Sequence, residues 1–183
     1  MDVAVNEKHI ETLAYWLKIM VVAGIFVFIL RGFIFIPMSV EGNSMEKTLH
    51  PDDHIVYEKF SSIHRFDIII FQTTDGLIYV KRVIGLPGDH IQYKDDELYI
   101  NGEKTEEDFL GQAKIKRDSN QYTTNFDTEE LLGKKEISED HFFVLGDNRR
   151  ISKDSRSFGE VSSDQIIGKA RLVYFPLRHF KIF

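Results

Sequence analysis

The chain has 183 residues, a net charge of −6 at pH 7, 43% hydrophobic residues, 15 Phe and no Cys. That is one ordinary domain plus an attachment, with enough apolar content for a real core. The acidic balance excludes the basic footprint of a nucleic-acid binder. The missing cysteines exclude disulfides, a thiol nucleophile and thiolate metal centres.

In chain order, residues 1–12 form a short tail carrying Asp2, Glu7 and Glu11. Residues 13–36 are almost wholly apolar, broken only by the charges of Lys18 and Arg31. Such a run makes roughly 36 Å of helix, enough for a hydrocarbon core of about 30 Å. It predicts a transmembrane anchor, with Tyr15 and Trp16 as an aromatic boundary and the two cations snorkelling towards the interfaces. The unbroken stretch Ile19–Leu30 also suits a buried helix or a signal-peptide core. A cleaved signal, however, has a basic start and a small-residue site, and neither is present. Flanking cations do not orient the span: Lys8 and Lys18 precede it, Arg31 and Lys47 follow it.

From residue 37 the texture changes to short apolar runs separated by turn residues. Strands are predicted near 54–60, 67–71, 77–84, 91–93, 98–100, 141–145 and 171–175, with turns at Asp75-Gly76 and Asn101-Gly102. The fold expected is therefore mainly β over 37–183, a sandwich or barrel-like body rather than βαβ units. Residues 103–139 are polar and charged, with one or two helical turns near 128–132. They read as an insert: a solvated excursion, a small hairpin subdomain or a flexible loop.

Three clusters could carry chemistry. Gly42-Asn43-Ser44-Met45 is a turn able to expose a serine hydroxyl beside its own backbone N–H, although its composition is also ordinary for a loop. In Leu77–Ile84, strand periodicity puts Tyr79, Lys81 and Val83 on one face and Val80, Arg82 and Ile84 on the other. If both faces are covered, Lys81 relieves its burial by losing a proton and becomes a general base, while Arg82 needs an acidic partner. The same pattern also describes an edge strand with solvated cations. The third cluster, Gly146 to Gly159, is too long for a turn and rich in Asp, Arg and Ser. Such a loop can build a hydrogen-bonded floor under a site. His50, His54 and His64 show no ligand spacing and read as surface histidines, so no metal or cofactor is expected. Asp95-Asp96 and Glu106-Glu107-Asp108 read as solvated turns.

Together these clusters resemble the type I signal peptidases. Ser44-Met45 with Thr48-Leu49 resembles the nucleophile box, and Arg65 with 67–71 the next strand box. Lys81 to Asp89 is similar to the general-base box along its whole length. Gly146-Asp147-Asn148, Ser152 and Asp154-Ser155-Arg156 resemble the final box. The resemblance implies a single-pass plasma-membrane protein of the compact Gram-positive form, its catalytic domain outside the cytoplasm. It implies serine endopeptidase activity that removes signal peptides from exported preproteins after small residues. Its partners are then those signal peptides and the lipid bilayer, with no nucleic acid. It also implies Ser44 as nucleophile, Lys81 as general base, Ser152 orienting the amine, and Asp147, Asp154 and Arg156 as the supporting network.

This chain departs from the family pattern at three places. Lys47 stands where Pro is common, Gly42 where some members carry a Ser that donates to the oxyanion, and Arg150-Ile151 where an acidic residue often comes first. Lys47 is expected to be tolerated in an active enzyme: a Pro there would stiffen the turn, and its absence costs about 0.4–1 kcal/mol of preorganisation. Two rivals stand beside the enzyme: a self-cleaving repressor-type Ser-Lys protease, which needs a DNA-binding N-terminal domain, and a degenerate peptidase kept as a binding partner.

Overall fold

The structure, a computed structural model, describes residues 2–33, 35–113 and 121–183. Its contacts divide the chain into two units, Met1–Ile36 and Pro37–Phe183.

The first unit is helix α1 (Asp2–Phe33). Apolar side chains run all round it rather than along one stripe, a pattern that has no single core-facing side. From residue 12 to residue 28 every side chain is exposed, Leu13, Met20 and Phe28 among them. Among the described residues no helix is long and apolar enough to cross a membrane. The polar start and Lys18 interrupt the run, whereas a crossing needs roughly 20 apolar residues. The segment expected to be an anchor is thus helical for most of its length, but a crossing does not follow from the fold.

The second unit is mainly β. β1 (Phe35–Ser39) straddles the boundary at Ile36, and the strands that follow are β2 (His54–Glu58), β3 (Ile68–Gln72), β4 (Ile78–Gly85), β5 (Ile91–Lys94) and β6 (Glu97–Ile100). They continue with β7 (Glu103–Thr105), β8 (Phe126–Asp127), β9 (His141–Leu145), β10 (Val161–Ser162), β11 (Ile166–Phe175) and β12 (Lys181–Ile182). Two short helices, α2 (Thr128–Leu132) and α3 (Ser155–Phe158), lie between them. The large sheet runs β1-β2-β11-β3-β4-β9-β10 with β12 beside β11, and a smaller sheet runs β7-β6-β5-β8. The pairings within β2–β4, β9 and β11 are antiparallel, and for β3 and β4 the short connection requires it. Asp95-Asp96 and Asn101-Gly102 join successive strands of the small sheet with positive φ at all four residues, the signature of type I′ turns.

β4 lies between β3 and β9, so it is an interior strand, not an edge. Ile84 joins Ile91, Tyr93, Leu98 and Phe143 in the core between the two sheets. Val83, on the opposite face, joins Ile69, Phe71 and Val144. Both faces of β4 are therefore covered, and Lys81 and Arg82 are 1% and 5% exposed.

The segment 103–139 is not a detached excursion. β7 and β8 are the two edges of the small sheet, which begins earlier, at Ile91. Glu107, Tyr122, Thr123, Thr128 and Ile137 are buried. α2 starts where the Asp127 carboxylate accepts the Glu129 N–H, a normal N-cap. Residues 114–120 of this segment lie outside the described residues.

Candidate active site

The turn that carries Ser44 hangs from the end of β1. Val40 N–H donates to Asp53 O at 2.8 Å, and Asp52 N–H donates to Val40 O at 3.0 Å. Gly42 has φ +76°, a left-handed conformation that a side chain here would strain. Beyond Ser44, Met45 and Leu49 are buried at 1% and 0% and pin the turn to the core. The Asn148 N–H donates to Ser44 O at 2.9 Å, fastening this turn to the long loop after β9.

Lys81 reaches Ser44 from β4. Its Nζ lies 2.7 Å from Ser44 Oγ and 3.2 Å from Val80 O. The amine also sits 5.0 Å from the centre of the Tyr79 ring. Burial pushes its pKa down from 10.5 to about 8, while the carboxylates of Asp154 and Asp147 work in the opposite direction. The amine is therefore easily deprotonated and in contact with a hydroxyl, which is the arrangement that activates a nucleophile.

Arg82 points to the other face and finds its acid. Its Nε and Nη2 donate to the two oxygens of Asp147 at 2.8 and 2.6 Å. Nη1 donates to Phe66 O at 2.8 Å, and the guanidinium lies 4.0 Å from the Phe109 ring centre. Asp154 accepts the Gly146 N–H at 3.0 Å and is paired with Arg156 through Nε at 2.8 Å. Gly146 permits the closest approach in the site. A Cβ there would lie 2.1 Å from Ser152 Oγ and 2.5 Å from Ser44 O. Ser152 Oγ itself is buried without a hydrogen-bond partner, and the described partners of Lys81 are Ser44 and Val80.

An open cleft of about 600 Å³ runs over the pair. One wall is residues 38–45 and the other residues 76–81, with Ile151 and Lys153 at the rim. Ser44 and Lys81 line it directly, so the hydroxyl–amine pair faces the space where a ligand would lie.

The model of the family described as signal peptidase, peptidase S26 matches residues 13–175. The chain belongs to that family. It is 46% identical to signal peptidase I of Bacillus caldolyticus over 155 residues, covering 82% of this chain and 85% of the relative. It is 38% identical to signal peptidase I V of Bacillus subtilis strain 168 over 158 residues, covering 84% and 94% of the two chains. Signal peptidase IB of Staphylococcus aureus strain N315 is 35% identical over 179 residues, 93% of this chain and 94% of the other. The crystal structure of a signal peptidase I from Enterococcus faecalis V583 superposes with a TM-score of 0.56 at 43% identity, covering 60% of this chain and 97% of that one. A serine-type signal peptidase of mainly β fold follows from these likenesses, and the repressor-type rival falls away.

Seen as a signal peptidase, the chain holds several residues that its sequence did not single out. Arg149 is 2% exposed and donates from Nη2 to Glu107 at 2.6 Å, from Nε to Gly146 O at 3.0 Å, and from Nη1 to the Tyr93 hydroxyl. Tyr93 in turn donates to Glu107. The Tyr122 hydroxyl donates to Asp147 O at 2.6 Å. This buried network ties the small sheet to the loop holding Asp147 and Asp154. In the two acidic runs expected to be solvated, Asp95, Glu106 and Asp108 are exposed, but one residue of each run is buried. Glu107 is 4% exposed because it neutralises Arg149, and Asp96 is 3% exposed with its carboxylate on the Thr123 N–H at 2.6 Å. No local spacing could have shown this: Arg149 and Glu107 are 42 residues apart.

The expectation that a Pro at 47 would stiffen this turn needs correction. Lys47 is the third residue of a turn in which Thr48 N–H donates to Met45 O at 3.0 Å, and its φ is +101°. Proline, locked near −65°, cannot take that conformation. Its ammonium lies 5.6 Å from the centre of the Tyr122 ring.

Proposed function

We propose that this signal peptidase cleaves exported preproteins with Ser44 as nucleophile and Lys81 as its general base. The observation that carries the reading is the 2.7 Å contact between a serine hydroxyl and an amine held near pKa 8 at the wall of a cleft. The neutral amine of Lys81 takes the Ser44 proton as Oγ attacks the scissile carbonyl. The negative charge on the carbonyl oxygen is met by the Ser44 backbone N–H, since Gly42 offers no hydroxyl. The ammonium of Lys81 then protonates the leaving amine, and water hydrolyses the acyl-enzyme by the reverse use of the same base. Asp147, Asp154 and Arg156 hold the floor on which the pair rests, and Ser152 orients the amine as substrate enters. The substrates are signal peptides lying extended in the cleft, with small residues, typically Ala, one and three positions before the cut.

The catalytic unit works at the outer face of the plasma membrane, with α1 as its single-pass anchor. Supporting this are the bulky apolar side chains exposed along α1 and those of Phe175, Leu177, Phe180 and Ile182 on the catalytic unit. A substrate held in the same bilayer reaches the cleft by lateral diffusion.

The dyad is tested with Ser44→Ala, Lys81→Ala and the double variant on a signal-peptide substrate in detergent. Each is expected to lose on the order of 10³-fold or more in kcat/KM, and the double variant no more than either single one. Substantial turnover by Ser44→Ala, or losses that add, would overturn the assignment. A wild type inert under all conditions would leave the degenerate peptidase as the reading.

A further inference from the structure

Outside the catalytic machinery, His50, Asp53 and His179 each offer one ligand atom, and these atoms lie within 4.8 Å of one another. His50 follows the Ser44 turn and Asp53 precedes β2. His179 ends a short 3-10 turn, Leu177–His179, 126 residues along the chain from Asp53.

The Asp53 side chain is 1% exposed. Its Oδ2 accepts the His50 backbone N–H at 2.8 Å and faces His50 Nδ1 at 3.7 Å. Its Oδ1 meets His179 Nδ1 at 2.6 Å. The two imidazoles stack with centres 4.4 Å apart. Among the described residues, Asp53 forms ion pairs only with these two histidines and none with Lys or Arg. A buried carboxylate needs positive charge beside it. A second observation points the same way: His50 Nδ1 is shielded from solvent and has no hydrogen-bond partner. One cation among the three groups would satisfy both the carboxylate and this nitrogen.

We propose that His50, Asp53 and His179 bind a divalent transition-metal ion of the Zn²⁺ class, with water in a fourth position. Two imidazoles and one carboxylate suit Zn²⁺ and its neighbours, whereas Ca²⁺ and Mg²⁺ take oxygen ligands. Bonds of about 2.0–2.2 Å to a tetrahedral ion put donor atoms about 3.3–3.5 Å apart. The three ligand atoms, one from each residue, already lie within 4.8 Å of one another, so about 1 Å of adjustment at each contact brings them to this spacing as the ion takes the place of a hydrogen. Metal on Nδ1 places the His179 proton on Nε2, which releases the exposed 3.3 Å contact from Arg178 Nε. The ion would tie the C-terminal turn to the loop six residues after Ser44. Its role is to stabilise the fold rather than to take part in peptide cleavage, so the proposal does not depend on the catalytic assignment.

The test uses the full chain in detergent micelles, stripped by a chelator, with Zn²⁺ itself as the probe. Titration calorimetry should give one saturable equivalent per chain. A hundredfold excess over Kd should raise Tm by about 5–10 °C. His179→Gln retains a polar contact to Asp53 but ligates poorly, so its metal-free Tm should stay near wild type while the Zn²⁺ shift disappears. His50→Ala should also lose the saturable phase, and His54→Ala with His64→Ala should keep it. Co²⁺ in place of Zn²⁺ should give visible bands of a tetrahedral site in wild type and not in His179→Gln. Absence of saturable binding, or a Tm shift that survives both His50→Ala and His179→Gln, would overturn the proposal. The trio would then be a hydrogen-bonded clamp and not a metal site.

Discussion

Lys81 is the residue at which stability and the proposed chemistry oppose each other. Burial on an interior strand lowers its pKa from 10.5 to about 8, a difference of about 3 kcal/mol between its charged and neutral forms. Unfolded, the lysine binds its proton more tightly than when folded. Stability should therefore rise with pH between about 8 and 10.5, and below pH 8 the full cost of the buried ammonium should remain. Near pH 7 about one amine in ten is neutral, so kcat/KM should climb with an acidic limb near pH 8. Lys81→Met should abolish activity yet raise stability at pH 7 by about 1–3 kcal/mol, because it removes the buried charge. Lys81→Arg should be inactive, since guanidinium gives up no proton. A less stable Lys81→Met, or a profile flat from pH 6 to 9, would show the amine is a structural cation.

At the scale of elements, the site is made by two irregular segments resting on one regular strand. β4 supplies Lys81 and Arg82 on opposite faces, and sheet pairing on both sides fixes where each points. The turn 43–49 and the loop after β9 are mobile types of structure held still by specific contacts. Gly146 lets Ser44 O and Ser152 approach, Asp154 accepts the Gly146 N–H, and Asp147 clamps Arg82. The turn holds one strained residue. With φ +101°, Lys47 occupies the place that type II turns give to Gly or Asn. Lys47→Gly should therefore stabilise the protein by about 1 kcal/mol, and Lys47→Pro should destabilise it by about 1–3 kcal/mol and lower activity. Thermal unfolding of the two variants beside wild type decides this. A Lys47→Pro variant as stable as wild type would mean that the turn readily takes the proline form.

If α1 anchors the chain with the β unit outside, protease added to intact protoplasts should digest residues 37–183 and leave the helix protected. Digestion that requires lysis would reverse the orientation. The large sheet supplies the cleft, and the small sheet braces the loop beneath it through Arg149, Glu107 and Tyr93.

The sequence by itself determined what is encoded over short range. Alternating apolar residues marked the strands, Asn101-Gly102 marked a tight turn, and four ordered boxes marked the family and its serine and lysine. Those signals depend on backbone period and local turn chemistry, which neighbours within a few residues decide. The tertiary structure decided everything that rests on charge brought together from afar. Whether Lys81 is a solvated edge cation or a buried amine was open in its own segment, and only the strands on either side of β4 closed it. Asp96 and Glu107 looked solvated because their partners, the Thr123 amide and Arg149, lie 27 and 42 residues away. His50, Asp53 and His179 had no ligand spacing for the same reason. Lys47 looked compatible with proline because φ is set by how the turn is fastened at Met45, Leu49 and Asn148. A carboxylate's burial is tolerated only when folding delivers its counter-charge, and no linear pattern records that delivery.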